Sequence, residues 1–148
     1  MSPSTFEPGR QAVVALHGRL EAAVRTVLRE RCALSVHEFT VLLALLRHEH
    51  GGTPRMHQLV DAVALSPSAV ARLVSRLEEQ ELVTRTHCAV DRRGVCPALT
   101  PAGRALAGQL RVSVSEAIRQ GLSDAGCRPD LVPLTRAVRR VGLSDPAV

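Results

Sequence analysis

From Gln11 to Arg31, apolar residues recur at helical spacing, at Val13, Leu16, Leu20, Val24, Val27 and Leu28, with arginine and glutamate on the other faces. This pattern predicts a long amphipathic first helix. Ser35 offers an N-cap for a second, and Glu38 completes a capping box ahead of Phe39, Leu42, Leu43 and Leu46; Gly51-Gly52 then ends the run. Met56, Leu59, Val60 and Val63 mark a short third helix. Only Ala64 and Leu65 separate it from Ser66-Pro67, where a preferred N-cap and a proline suited to the first helical position open a fourth helix reaching about Glu79.

The period then changes. Leu82 to Cys88 alternates as a strand does, Gly94 to Leu99 can return antiparallel to it, and Asp91-Arg92-Arg93-Gly94 forms the hairpin tip. Thr100-Pro101 opens a fifth helix with Leu106, Leu110, Val114 and Ile118 on its apolar side, and Gly121 to Arg128 is expected to break it. Asp130 is the expected cap of a final helix carrying Pro133 in its first turn, then Leu134, Val138 and Val141. The order is three helices, a recognition-type helix, a two-stranded wing and two more helices. It predicts a mostly α fold with a small β-wing, a winged helix-turn-helix. With 148 residues, no repeats and no low-complexity linker, one domain spanning 1–148 is expected.

On the fourth helix, Val70, Leu73, Val74 and Leu77 form one apolar stripe that must face a core. The opposite face carries Ser68, Ala69, Arg72, Ser75 and Arg76. Small residues near the helix start permit close approach, and arginine can fork onto guanine in a major groove. Free N–H groups and the positive dipole end at Ser66 and Ser68 suit a phosphate. At the hairpin tip, Arg92 and Arg93 can reach a minor groove, with Asp91 orienting a neighbouring arginine. The plainer readings are a solvated helix face, with Arg72 and Arg76 paired to Glu79, and a solvated tip.

Composition adds less than it first promises. A net charge of +5 suits a polyanion, but all nineteen basic residues are arginine, with no lysine or asparagine and a single isoleucine, a bias that a GC-rich genome produces unaided. Arg55 to Thr100 holds six arginines against five acids, so placement must carry the case. Phe6 and Phe39 are the only aromatics, too few to stack splayed bases, which favours a duplex over single strands. No apolar run reaches eighteen residues and Met1 to Arg10 lacks a signal peptide's apolar stretch, so a soluble cytoplasmic protein without membrane contact is expected. In such a chain Cys32, Cys88, Cys96 and Cys127 are expected as reduced thiols. Cys88 and Cys96 nevertheless lie symmetrically about the wing tip, where a disulfide would stiffen or distort the wing, and a redox-responsive regulator is one alternative. Zinc at His87, Cys88 and Cys96 lacks a completing ligand pair, so neither metal nor cofactor is expected. No nucleophile elbow, phosphate-binding glycine loop or paired carboxylates point to an enzyme, and an adaptor without DNA binding is the other alternative.

Three segments carry a family resemblance: Leu34 to Leu42, Ser66 to Val74, and Asp91 to Gly94 followed by Leu99 to Gly103. In their order and spacing, the stretch from about Leu34 to Leu110 resembles the MarR family of bacterial winged-helix regulators. The resemblance implies a DNA-binding lobe at about 34–100 and dimerisation helices at about 10–31 and 101–142. It further implies a homodimer that sets two recognition helices about one DNA turn apart on a pseudo-palindromic operator. By the same resemblance Ser66, Ser68, Ala69, Arg72 and Arg76 match groove-facing positions, Asp91 and Arg93 the wing pair, and Arg92 a backbone contact. Many relatives bind a small anionic aromatic effector that relieves repression, for which Arg10, His17 and Arg111 are the candidates here. Peroxide-sensing relatives use a first-helix cysteine with tyrosines, and zinc-sensing ones use histidines after the wing. This chain has no tyrosine, no cysteine before Cys32, and no histidine from Pro101 to Leu122. It also departs from the pattern at Glu81, where relatives often have a glycine, so a different helix ending is expected there.

Overall fold

The computed structural model describes residues 6–49, 52–88 and 94–143. In chain order it contains α1 (Glu7–Arg31), α2 (Val36–His48), α3 (Met56–Val63), α4 (Pro67–Glu79), β1 (Val83–His87), β2 (Val95–Leu99), α5 (Pro101–Ala125) and α6 (Val132–Leu143). The strands form a two-stranded antiparallel sheet with Val83 opposite Leu99 and His87 opposite Val95. This is the mostly helical, winged architecture expected from the sequence. The chain divides into two compact units, residues 32–112 and residues 1–31 with 113–148, the division falling within α5. Among the described residues, no helix is long and apolar enough to cross a membrane.

In the unit of residues 32–112, α2 starts as its capping box requires. The Glu38 N–H donates to the Ser35 hydroxyl at 3.1 Å, and the Ser35 N–H donates to the Glu38 carboxylate at 2.9 Å. Glu38 is almost fully buried, so these bonds also satisfy a charge that would otherwise be costly to cover. Phe39, Val41, Leu42 and Leu45 of α2, Leu59 of α3, Val70, Val74 and Leu77 of α4, and Val83 and Leu99 of the sheet make up the core. Here α2 packs against α3, α4 and β2, and α4 packs against β1.

The end of α4 departs from expectation in an instructive way. Glu81 itself takes the left-handed conformation, at φ 59°, so the helix closes as it would with glycine there. The Glu81 N–H bonds the Glu78 carbonyl at 2.9 Å and the Leu82 N–H bonds the Leu77 carbonyl at 3.0 Å, satisfying two terminal carbonyls. The start of α5 locks onto this corner. The Thr100 hydroxyl donates to the Glu81 carbonyl at 2.7 Å and the Thr100 N–H to that of Leu82 at 3.1 Å. Gly103 lies so close that a Cβ would sit 1.9 Å from the Leu82 carbonyl oxygen.

In the other unit, Leu16 of α1, Leu122 and Ala125 of α5, and Leu131 form a second core, with Ala12, Ala15, Leu20, Ile118 and Leu134 packed against it. Here α5 continues through Gly121 and ends at Ala125, inside the stretch from Gly121 to Arg128 where a break was expected. Bare Gly121 faces α1, where a Cβ would come 3.2 Å from Leu20 Cδ2, so the glycine serves close packing. The expected cap of α6 is also different. Asp130 is held by the Arg128 guanidinium at 2.7 Å, which keeps its carboxyl below the usual aspartate range, and the Thr135 N–H bonds the Leu131 carbonyl at 2.9 Å. Val13 and Val14 of α1 and Val138 and Val141 of α6 are exposed.

Two substitutions test the corner. Gly103→Ala should destabilise by about 2 kcal/mol or more, because its new methyl meets backbone that cannot yield. Glu81→Gly should stabilise by about 1 kcal/mol by removing the left-handed strain of a side-chain-bearing residue. Urea unfolding of each variant checks both signs; an unchanged midpoint in either contradicts the account.

Candidate nucleic-acid interface

Helix α4 is an amphipathic rod with its two faces sharply separated. Val70, Leu73, Val74 and Leu77 are all buried, each worth about 1.5 to 3 kcal/mol on transfer from water. That fixes the rotation of the helix and leaves the opposite face outward. Ser68, Arg72 and Arg76 are exposed there and Ala69 is half-buried. Among the described residues no carboxylate engages the Arg72 or Arg76 guanidinium, so the pairing with Glu79 considered from sequence does not occur.

The start of α4 is equally well defined. Ser66 is the N-cap in extended backbone, and its hydroxyl accepts from the Ala69 N–H at 3.3 Å, with Pro67 at the first helical position. The hydroxyls of Ser66 and Ser68 lie 3.3 Å apart. Two small hydroxyl side chains thus sit at the positive end of a thirteen-residue helix dipole. At the preceding turn Ala64 is left-handed, at φ 53°, and its N–H bonds the Val60 carbonyl. This closes α3 three residues before α4 begins.

Ser75 has a different environment from its neighbours on this face. It is half-buried, and its hydroxyl accepts from Arg85 Nη2 at 2.9 Å, while Arg85 Nε donates to Glu78 Oε2 at 2.8 Å. Arg85 therefore ties the middle of β1 to two successive turns of α4. Sequence reasoning missed it because Arg85 stands seven and ten residues from its partners, beyond any helical or strand spacing. The only available signal was an outward arginine on a strand adjoining the recognition helix.

Asp91, Arg92 and Arg93 lie outside the described residues. What the structure describes is the stem of the wing, where the Cys88 N–H donates to the Gly94 carbonyl at 3.0 Å beyond the last strand pair. Cys88 and Cys96 are joined as a disulfide with a Cα–Cα distance of 5.3 Å, in place of the two expected thiols, because hairpin pairing brings them together. Cys32 and Cys127 are free. Of the residues considered for an effector, Arg10 is exposed and paired with Glu7 at 2.6 Å, a bond that raises the guanidinium's pKa and lowers that of the carboxyl. His17 and Arg111 are exposed. A cleft of about 450 Å³ in the unit of residues 32–112 lies beside the Arg104–Glu49 ion pair, and none of the three lines it.

The comparisons with known proteins agree with this geometry. Residues 34–94 match the model of the MarR family. The HTH-type transcriptional repressor MdtR of Bacillus subtilis is 31% identical over 74 residues, which cover 50% of this chain and 46% of that protein. The match thus spans about half the length of this curated relative. Among solved structures, BpsR of Bordetella bronchiseptica, described with the regulation of its DNA binding by 6-hydroxynicotinic acid, is 25% identical with a TM-score of 0.68 over 90% of this chain and 91% of that one. AbsC, a MarR family transcriptional regulator from Streptomyces coelicolor, superimposes with a TM-score of 0.74 at 22% identity, over 96% and 95% of the two chains. A MarR mutant from E. coli complexed with operator DNA gives 0.72 at 20% identity, over 93% and 95%. These last two likenesses concern the fold. With a matched family model over residues 34–94 and this winged architecture around it, the chain is similar to the MarR family of winged helix-turn-helix transcriptional regulators.

Proposed function

We propose that the chain is a homodimeric, sequence-specific regulator of transcription that binds a pseudo-palindromic operator in duplex DNA. In this reading it is a repressor released by a small anionic aromatic effector. The observation that carries this reading is the outer face of α4, where Arg72 and Arg76 stand unpaired by acids among the described residues, opposite a buried stripe and about two and three turns from a serine-capped helix start. Such a helix fits the major groove: arginines at this depth can fork onto guanine O6 and N7, while Ser66, Ser68 and the free N–H groups above them take a phosphate and set register. Arg93, with Asp91 orienting it, reads the adjoining minor groove and Arg92 the backbone.

Dimerisation is supported by the valines that the single chain leaves in water. Val13, Val14, Val138 and Val141 lie on α1 and α6, the helices assigned to the dimer. The repressor and effector readings draw on the relatives, MdtR being a repressor and BpsR responding to an aromatic acid. Arg10, His17 and Arg111 remain the proposed effector contacts, and a cytoplasmic location follows from work on the genome.

Selecting bound fragments from genomic DNA tests the reading directly; a protein that enriches none is an adaptor and the proposal fails. On a selected operator, Arg72→Ala should lose about 1 to 3 kcal/mol of affinity and relax the preference at one base position. Arg93→Ala should weaken binding most where the flanking sequence is A·T-rich. If both bind like the wild type, the groove assignments are wrong. Arg85→Ala should change folding stability by less than about 1 kcal/mol, since its ion pair is half exposed, yet reduce operator affinity several-fold by freeing the wing from α4. A thermal melt and a binding titration on the same preparation separate the two effects, and equal losses in both would show Arg85 to be merely structural.

A further inference from the structure

We propose that Cys88 and Cys96 are a reversible redox modification site whose disulfide tightens the grip of the wing on DNA. The proposal rests on the operator reading above and adds its regulation.

The bond crosses the hairpin diagonally. Cys88 stands opposite Gly94, to which its N–H donates, whereas its sulfur is bonded to Cys96, the strand partner of Thr86. Strand pairing places the two cysteines on one face of the hairpin, a diagonal step apart. Val83, Cys96 and Leu99 are buried, and β2 packs against α2 and α3, so the stem is anchored by the core. A domain with such a core has no need of a covalent staple. A protein that works beside the genome also does so where thiols are kept reduced, and where disulfides are transient and sensory rather than structural. The pair is thus built to close when conditions turn oxidising.

Exposure selects the oxidant. Cys96 is fully covered and Cys88 is 6% exposed, which leaves Cys88 the point of attack and favours a compact two-electron oxidant such as a hydroperoxide. The Cys88 thiolate attacks a peroxide oxygen; the O–O bond breaks, an S–O bond forms and, for hydrogen peroxide, water leaves after protonation. The Cys96 thiolate then attacks the Cys88 sulfur, the S–S bond forms and the hydroxyl departs as a second water. Two thiols lose two electrons and one peroxide gains them. Reduction by a cellular thiol reverses the change by exchange.

The consequence for binding follows from where the ring closes. By sequence the Cys88–Cys96 ring contains Asp91, Arg92 and Arg93, the residues assigned to the minor-groove contact. A closed ring samples fewer conformations before binding, so less freedom is lost when the wing engages DNA. Oxidation is therefore expected to raise operator affinity by roughly three- to ten-fold, the size of the ordering cost of one or two side chains.

The test uses the full chain with Cys32→Ser and Cys127→Ser, which removes the other thiols. Operator affinity is titrated after hydrogen peroxide and after reduction, with ring closure read by alkylation and peptide mapping. The oxidised form should bind more tightly. Cys88→Ala and Cys96→Ala should bind like the reduced protein and ignore peroxide. The reduced protein itself needs no wing substitution, so it still gives the comparison if either alanine variant folds poorly. Equal or weaker binding by the oxidised form overturns the proposal, as does failure of peroxide to close the ring. A bond that glutathione leaves intact overturns it too, because it would then be a permanent staple. In all these cases the operator reading stands. A chain that enriches no DNA in either state sinks that reading, and this one with it.

Discussion

The rest of the unit of residues 32–112 depends on the burial of one stripe on α4. Val70, Leu73, Val74 and Leu77 leave water together, and because they occupy a single face, their burial sets the rotation of the whole helix about its axis. Rotating α4 by one residue would expose most of these side chains and draw Arg72 toward the core, where an unpaired guanidinium is strongly disfavoured. Apolar packing on one side thus aims polar chemistry on the other, and the face bearing Ser68, Arg72 and Arg76 needs no hydrogen bonds of its own to hold its direction.

Rotation alone does not position a wing. The hairpin is referenced to α4 at two places, and neither relies on the strands' own pairing. At the base, Glu81 turns left-handed, Leu82 bonds back into the last turn of α4, and Thr100 and Gly103 clasp the same backbone from the start of α5. Halfway up, Arg85 reaches from β1 to Ser75 and Glu78. A movement of α4 is accordingly passed to the wing, and the two move together.

The outward face of α4 and its capped start are features a duplex can use, and the fold shared with an operator-bound MarR structure places them in a known architecture. The wing is more individual. Its stem carries a cysteine pair joined across the hairpin, an arrangement that neither the helical core nor the strand register requires.

Much of this was legible in the chain itself. Element order, the capping box at Ser35 and Glu38, the Ser66-Pro67 helix start and the buried stripe were all fixed by local spacing, because caps and amphipathic periods act within a few residues. The break between Gly121 and Arg128 was legible, but its place at Ala125 was not, because Gly121 serves close packing against Leu20, a residue about a hundred positions away. Asp130 was misread as a cap because a nearby guanidinium took its carboxylate. Glu81 was expected to end α4 differently, but the clasp from Thr100 and Gly103 holds it in the left-handed form that glycine adopts freely. Arg85 and the Cys88–Cys96 bond likewise depend on partners brought near by the fold. The sequence determined which elements form and which faces are apolar, since those are short-range properties of the backbone and its side chains. Only the tertiary structure decided which polar groups are already engaged, because that depends on distances across the chain that no local pattern encodes.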